Sequence, residues 1–155
     1  GTVVTKLLIQ ALPDLAIFGE KDYQQLLVIK RLTRDLDIPT EIIGAPTIRE
    51  ADGLAVSSRN VFLSKANRET ASKVFEILKK TATAIALGND VLVTCEEARS
   101  ELMLAGFSEI DYFEARHSET LELIQSFENS GRLFAAVWLG STRLIDNLEI
   151  KEYKD

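Results

Sequence analysis

Cysteine and histidine each occur once in the 155 residues, as Cys95 and His117. One cysteine excludes an intramolecular disulfide framework and any cysteine-cluster zinc site. One histidine excludes every site that needs two, and no protein-held metal is expected. No apolar run approaches the ~20 residues of a membrane span, and no basic segment leads into an apolar stretch with a cleavage site. Positive charge is also scarce. The net charge is −6 and the pI about 4.9, which argues against nucleic acid or a membrane surface as partner, since both call for a basic face. A local basic pocket stays compatible with that balance. With 46% apolar and 27% charged residues, the composition is that of a soluble globular chain rather than a disordered one. A cytoplasmic location is the default expectation. The chain opens Gly1-Thr2-Val3-Val4, without Met and already inside an apolar pattern. This is expected of a cloning remnant at Gly1 or of a larger protein that has been cut.

The three prolines, Pro13, Pro39 and Pro46, fall in the first third and punctuate short elements. Val4, Leu7, Leu8 and Ala11 fit a helical stripe that Pro13 ends. Leu15 to Phe18 reads as a short buried strand stopped by Gly19. Leu26, Ile29, Leu32 and Leu36 place a helix over 22–36, and 41–45 reads as a second strand. Strand, helix, strand in about 30 residues is a βαβ unit with parallel strands. Residues 47–63 read as a loop. Ser64 is placed to cap one long helix with the stripe Ala71, Val74, Phe75, Leu78, Ala82 and Ile85. A second helix runs to about Leu104, with Gly106 as its stop. Strands follow over 112–116, 133–139 and 144–148, with Trp138 read as core. The expected fold class is α/β: a partial Rossmann-like βαβ domain over 1–62, then a small α+β domain with antiparallel strands over 63–155. Two parallel strands cannot cover both faces of a parallel sheet. Residues 1–62 are therefore expected to be half of a nucleotide-binding domain and to expose an apolar surface.

Two clusters have the chemistry of an anion site. The first, Phe18-Gly19-Glu20-Lys21-Asp22-Tyr23-Gln24-Gln25, lies where a strand's carboxyl end meets a helix amino end, the edge at which open α/β sheets bind ligands. A lysine in a helix's first turn opposes the dipole by about 0.3–1 kcal/mol, and a bound phosphate reverses that penalty. Gln25, one turn later, is expected on the inward stripe, where its amide needs partners. A solvated helix start with a backbone-bonded Gln25 fits the same residues. The second cluster, Ile48-Arg49-Glu50-Ala51-Asp52-Gly53-Leu54-Ala55-Val56-Ser57-Ser58-Arg59-Asn60, emerges after the next strand. Two hydroxyls and a guanidinium suit a polyphosphate, and such a loop can close over a nucleotide; a polar linker is the plainer reading. His117, Cys95 and the glutamates at 96, 97 and 101 read as packing or surface residues.

These two strings, together with Ala136-Val137-Trp138-Leu139-Gly140 and Arg143-Leu144-Ile145-Asp146-Asn147, resemble the pantothenate synthetase (pantoate–β-alanine ligase) family over nearly the whole chain. The resemblance implies a Rossmann-like nucleotidyltransferase fold with a smaller C-terminal domain. It also implies ligation of pantoate to β-alanine through a pantoyl adenylate, with ATP cleaved to AMP and pyrophosphate and Mg²⁺ accompanying ATP. Carried over by position, Gly19 and Asp22 meet the ribose side of ATP, with Glu20 in the same set. Lys21 meets the phosphates, and Gln25 holds pantoate. The backbone of Ile48 meets adenine. Val56, where some members have Met or Leu, borders the nucleotide. Ser57, Ser58 and Arg59 bind the triphosphate like the mobile KMSKS-type loop of class I aminoacyl-tRNA synthetases. Lys21, Ser57, Ser58 and Arg59 are then the catalytic set. The family's HxGH signature is absent. The expectation is thus a C-terminal portion of such an enzyme, inactive alone, that dimerises or swaps segments. A non-catalytic nucleotide-binding or assembly module is the alternative from another class.

Overall fold

A computed structural model describes residues 1–152. It divides into two compact units, residues 1–47 and residues 48 onward.

The first unit begins with α1 (Thr2–Ala11), which buries only Leu8. β1 (Leu15–Gly19) leads through a 3-10 turn over Glu20–Asp22 into α2 (Tyr23–Asp35), and β2 (Glu41–Ala45) follows. β1 and β2 pair in parallel, Leu15 opposite Glu41 through Gly19 opposite Ala45. The βαβ reading is therefore the observed one. β1 is not the buried strand expected from its apolar run. Its residues alternate exposed and half-buried, with Leu15 and Ile17 outward, because a two-stranded sheet leaves its strands largely uncovered. The helical stripe in α1 is likewise mostly open, with Leu7 59% exposed. α2 buries Leu26, Ile29 and Thr33, a three-then-four spacing that sets one helical face inward. Gly44 lies close under that face: a Cβ there would stand 3.0 Å from Leu26 and 3.1 Å from the Glu20 carboxylate.

The second unit is built on an antiparallel sheet in the order β3 (Glu109–Arg116), β4 (Gly131–Leu139), β5 (Thr142–Ile150). Every residue of β4 except Trp138 is buried. Leu133, Ala135, Val137 and Leu139, on one face by strand alternation, share a core with residues of α4 (Lys73–Ala86) and α5 (Val91–Ala105). α5 turns Val91, Thr94, Cys95, Ala98 and Leu102 inward, and the Asp90 carboxylate caps it by accepting the Val93 N–H at 2.9 Å. The single long helix expected after Ser64 is two helices. Ser64 does cap α3 (Lys65–Ala71), accepting the Asn67 N–H. The ladder lapses at Ser72, whose hydroxyl donates back to the Glu69 carbonyl at 3.1 Å, the local competition by which serine weakens helices. Trp138 is half-buried rather than core; its indole N–H donates to Asp111 at 2.8 Å. Among the described residues, no helix is long and apolar enough to cross a membrane.

The sequence-based boundary after residue 62 and the packing boundary after residue 47 differ by one segment. Residues 48–62 pack with the second unit because Leu54 joins its core and Arg49 pairs with β5.

Candidate functional site

In the first unit, Gly19 ends β1 in extended backbone, and a Cβ built there would meet nothing within 4 Å. The strand end is therefore open. Glu20, Lys21 and Asp22 form a 3-10 turn, and α2 starts at Tyr23. Lys21 thus sits in the turn before α2, one step outside the α-helical first turn expected from the sequence. Asp22 holds the N-cap position of α2 without making a side-chain capping bond, so the first helical amides are not spent on a cap. Gln25 is exposed, which corrects its inward placement. The buried face runs through Leu26, Ile29 and Thr33, and one residue's offset rotates Gln25 by about 100° away from it. Its amide is thus not satisfied by buried backbone.

The second cluster is a short hairpin rather than a loose linker. The Val56 N–H donates to the Ile48 carbonyl at 2.9 Å, and the Glu50 N–H to the Leu54 carbonyl at 2.9 Å. Arg49 and Ala55 form a bridge between its arms. Gly53 turns the tip with φ +92°, and a Cβ there would lie 2.5 Å from the Phe75 ring. Both the backbone angle and the ring require glycine.

Three arginines serve this segment differently. Arg49 reaches Asp146 through two bonds, of 2.6 and 2.9 Å, and its guanidinium lies 3.7 Å from the Phe75 ring centre. Arg68 of α3 grips Asp52 at 2.6 Å and Glu50 at 2.7 Å. That grip holds the Asp52 carboxyl below its ordinary range and pushes the Arg68 guanidinium further up. Arg59, by contrast, is exposed and makes no ion pair or side-chain hydrogen bond among the described residues. It stands in a 3-10 turn over Ser58–Phe62, where the Ser57 hydroxyl oxygen accepts the Arg59 N–H at 3.3 Å. Ser57 keeps its hydroxyl proton for another acceptor, and Ser58 is exposed. Asn60 donates to the Ala55 carbonyl at 3.1 Å, and its buried Oδ1 has no hydrogen-bond partner among the described residues. The Ile48 and Val56 side chains are exposed. The arrangement offers two hydroxyls and one uncommitted guanidinium on a fastened base, a donor set for phosphate oxygens.

Sequence reasoning singled out Arg49 and the run ending Asp146-Asn147 without giving them a task, and did not notice Arg68 or the Phe75 contact. Ninety-seven positions separate Arg49 from Asp146, and no periodicity spans that distance. The remaining candidates hold ordinary roles. His117 Nδ1 accepts the Glu119 and Thr120 amides at 3.2 and 3.3 Å. Burial pushes the Cys95 thiol up to about 11.

The chain is of the mixed α/β class, with a parallel βαβ unit, a separate antiparallel sheet, and hydroxyl and guanidinium donors just after a hairpin. The pantoate-beta-alanine ligase family profile matches residues 1–149. Pantothenate synthetase of Mesorhizobium japonicum is 54% identical over 97% of this chain and 53% of the relative. That of Chelativorans sp. is 51% identical over 98% of this chain and 54% of the relative. A crystal structure of pantothenate synthetase from Thermus thermophilus superposes with a TM-score of 0.91 at 40% identity, covering 97% of this chain and 54% of that one. Pantoate-beta-alanine ligase from Francisella tularensis, complexed with beta-gamma ATP and β-alanine, matches with a TM-score of 0.71 at 36% identity, over 96% of this chain and 48% of that one. The chain belongs to the pantoate–β-alanine ligase family. It spans about half the length of the relatives it matches.

Proposed function

We propose that the chain supplies the nucleotide-handling half of an ATP-dependent pantoate–β-alanine ligase, corresponding to the carboxy-terminal portion of such an enzyme. The observation that carries this reading is Arg59, exposed and unpaired among the described residues beside Ser57 and Ser58, while Arg49 and Arg68 on the same base are ion-paired. In the reaction, a pantoate carboxylate oxygen bonds to the α-phosphorus of ATP. The bond from that phosphorus to the bridging oxygen breaks and pyrophosphate leaves. The β-alanine amine then attacks the acyl carbon, loses a proton and displaces AMP.

The residues contribute by positioning and charge neutralisation. Gly19 leaves room for the ribose side of the nucleotide, with Glu20 and Asp22 alongside. Lys21 is the phosphate-binding cation of the first unit, and Ser57, Ser58 and Arg59 are the phosphate donors of the second. Ile48 and Val56 border the adenine. The Ile48 carbonyl is engaged by Val56, so adenine would be met through the Ile48 N–H or the carbonyl's second lone pair. Gln25, solvent-facing, is available to a pantoate hydroxyl or carboxylate. Among the described residues, no three His, Cys, Asp or Glu side chains cluster to hold a metal. Mg²⁺ enters as part of the MgATP substrate, carried by the phosphates.

The chain alone is expected to make no pantothenate, and the open apolar face of residues 1–47 is expected to be covered by dimerisation or segment exchange. A cytoplasmic location accords with this metabolism. The test is ATP titration of the intact enzyme containing this sequence. Lys21→Ala and Arg59→Ala should each weaken ATP by about tenfold or more, the scale of one charge-assisted bond. Unchanged ATP affinity in both variants would remove the nucleotide reading and leave an assembly module.

A further inference from the structure

The two sequence motifs left without a task, Arg49 at the start of the hairpin and Asp146-Asn147 in β5, are each other's partners. Asp146 has 5% of its side chain exposed and Arg49 16%. Beyond the two bonds to the carboxylate, Arg49 donates to the Gly53 carbonyl at 3.1 Å and the Asn147 carbonyl at 3.4 Å. Asp146 Oδ1 also accepts the Asn147 N–H at 2.8 Å, and the Asn147 side-chain oxygen accepts from Arg132 at 2.6 Å. One guanidinium thus ties the first arm of the hairpin, its tip and a strand of the sheet together, with the Phe75 ring stacked against it. The second arm runs directly from Ala55, the bridge partner of Arg49, into Ser57, Ser58 and Arg59. A planar fork held at both ends fixes orientation as well as distance, which a lysine cannot do.

We propose that the Arg49–Asp146 pair is a positioning clamp for the reaction. It fixes the hairpin over 48–56 on the antiparallel sheet and thereby sets where Ser57, Ser58 and Arg59 present their donors. Neither residue touches substrate. The positioning role rests on the nucleotide reading above, whereas the fastening itself does not. The Asp52–Arg68 pair holds the tip from the other side but is more exposed, so it is the weaker fastening.

The test uses the intact enzyme with Asp146→Asn, which preserves shape and removes the charge, and Arg49→Lys, which preserves charge and removes the fork. Ile77→Val, a buried change outside the ion pair, controls for general loss of stability. Amide exchange over residues 54–60 and the steady-state constants are read together. The clamp predicts that both clamp variants exchange faster in 54–60 by about tenfold, with KM for ATP raised by about tenfold, the scale of one lost charge-assisted bond. KM for β-alanine should stay within about twofold of the starting enzyme, and Ile77→Val should move neither the local exchange nor KM for ATP. Unchanged exchange over 54–60, or a rise spread evenly through the second unit as in Ile77→Val, overturns the clamp. Faster local exchange with ATP constants untouched overturns the positioning role. If Arg59→Ala is then equally silent toward ATP, the nucleotide reading itself has failed. Should Asp146→Asn not fold, Arg49→Lys reads the same outcomes.

Discussion

In the second unit β4 is buried along all but one of its residues, whereas in the first unit no residue of β1 is buried. Both strands are apolar runs of similar texture. The difference lies in what covers them: two helices and a flanking strand on either side for β4, a single parallel partner and the one helix α2 for β1. Hydrophobic sequence marks a strand for burial, but the fold's other layers decide whether burial occurs. The candidate residues follow the same division. Those of the first unit sit at an open strand end, and those of the second are carried on a hairpin fastened by two ion pairs.

The sharpest way to break this comparison is at the clamp. Asp146→Ala leaves a buried guanidinium uncompensated and should cost about 3–5 kcal/mol, read as a lower midpoint in urea unfolding of the second unit. Truncating matched apolar residues comes next. In this chain as a monomer, Leu133→Ala in β4 should cost about 2–5 kcal/mol, while Ile17→Ala in β1, 62% exposed, should stay within about 0.5 kcal/mol. Equal losses would show that the two units bury their strands alike. A smaller effect is chemical. Burial raises the Cys95 thiol to about 11, so little thiolate exists near neutrality. Alkylation at pH 8 should be about a hundredfold slower than for an unfolded thiol, and urea should restore it. The smallest effect is the pH dependence of the hairpin tip. Arg68 lowers the Asp52 carboxyl in the folded state. Its contribution is therefore present above the unfolded value near 3.8 and is lost as pH falls through the lowered folded value. Because Asp52 is substantially exposed, this amounts to less than about 1 kcal/mol, and Asp52→Asn should flatten that part of an acid titration of stability.

Much of the fold is legible in the sequence because local signals agree with it. Pro13, Pro39, Gly19 and Gly106 mark ends that the structure places within a few residues. Where two weak local signals compete, the sequence misleads. Ser72 breaks a helix whose apolar stripe continues unbroken. Trp138 takes a polar partner at the sheet's surface. Gln25 falls one residue off the buried face, an error that a four-residue spacing invites when Leu26 begins the true stripe. The donors Ser57, Ser58 and Arg59 were visible as chemistry, but their support was not. Arg49, Arg68 and Asp146 are brought together by β5 and α3, and pairing at such separation leaves no periodic trace in one sequence.

The proposed role of Arg59 in holding a phosphate of ATP is tested most directly by titrating ATP into the intact enzyme with Arg59→Ala and Arg59→Lys. A phosphate contact through the guanidinium fork predicts binding about tenfold weaker in Arg59→Ala, with Arg59→Lys recovering part of the loss. Unchanged affinity in both variants would contradict it.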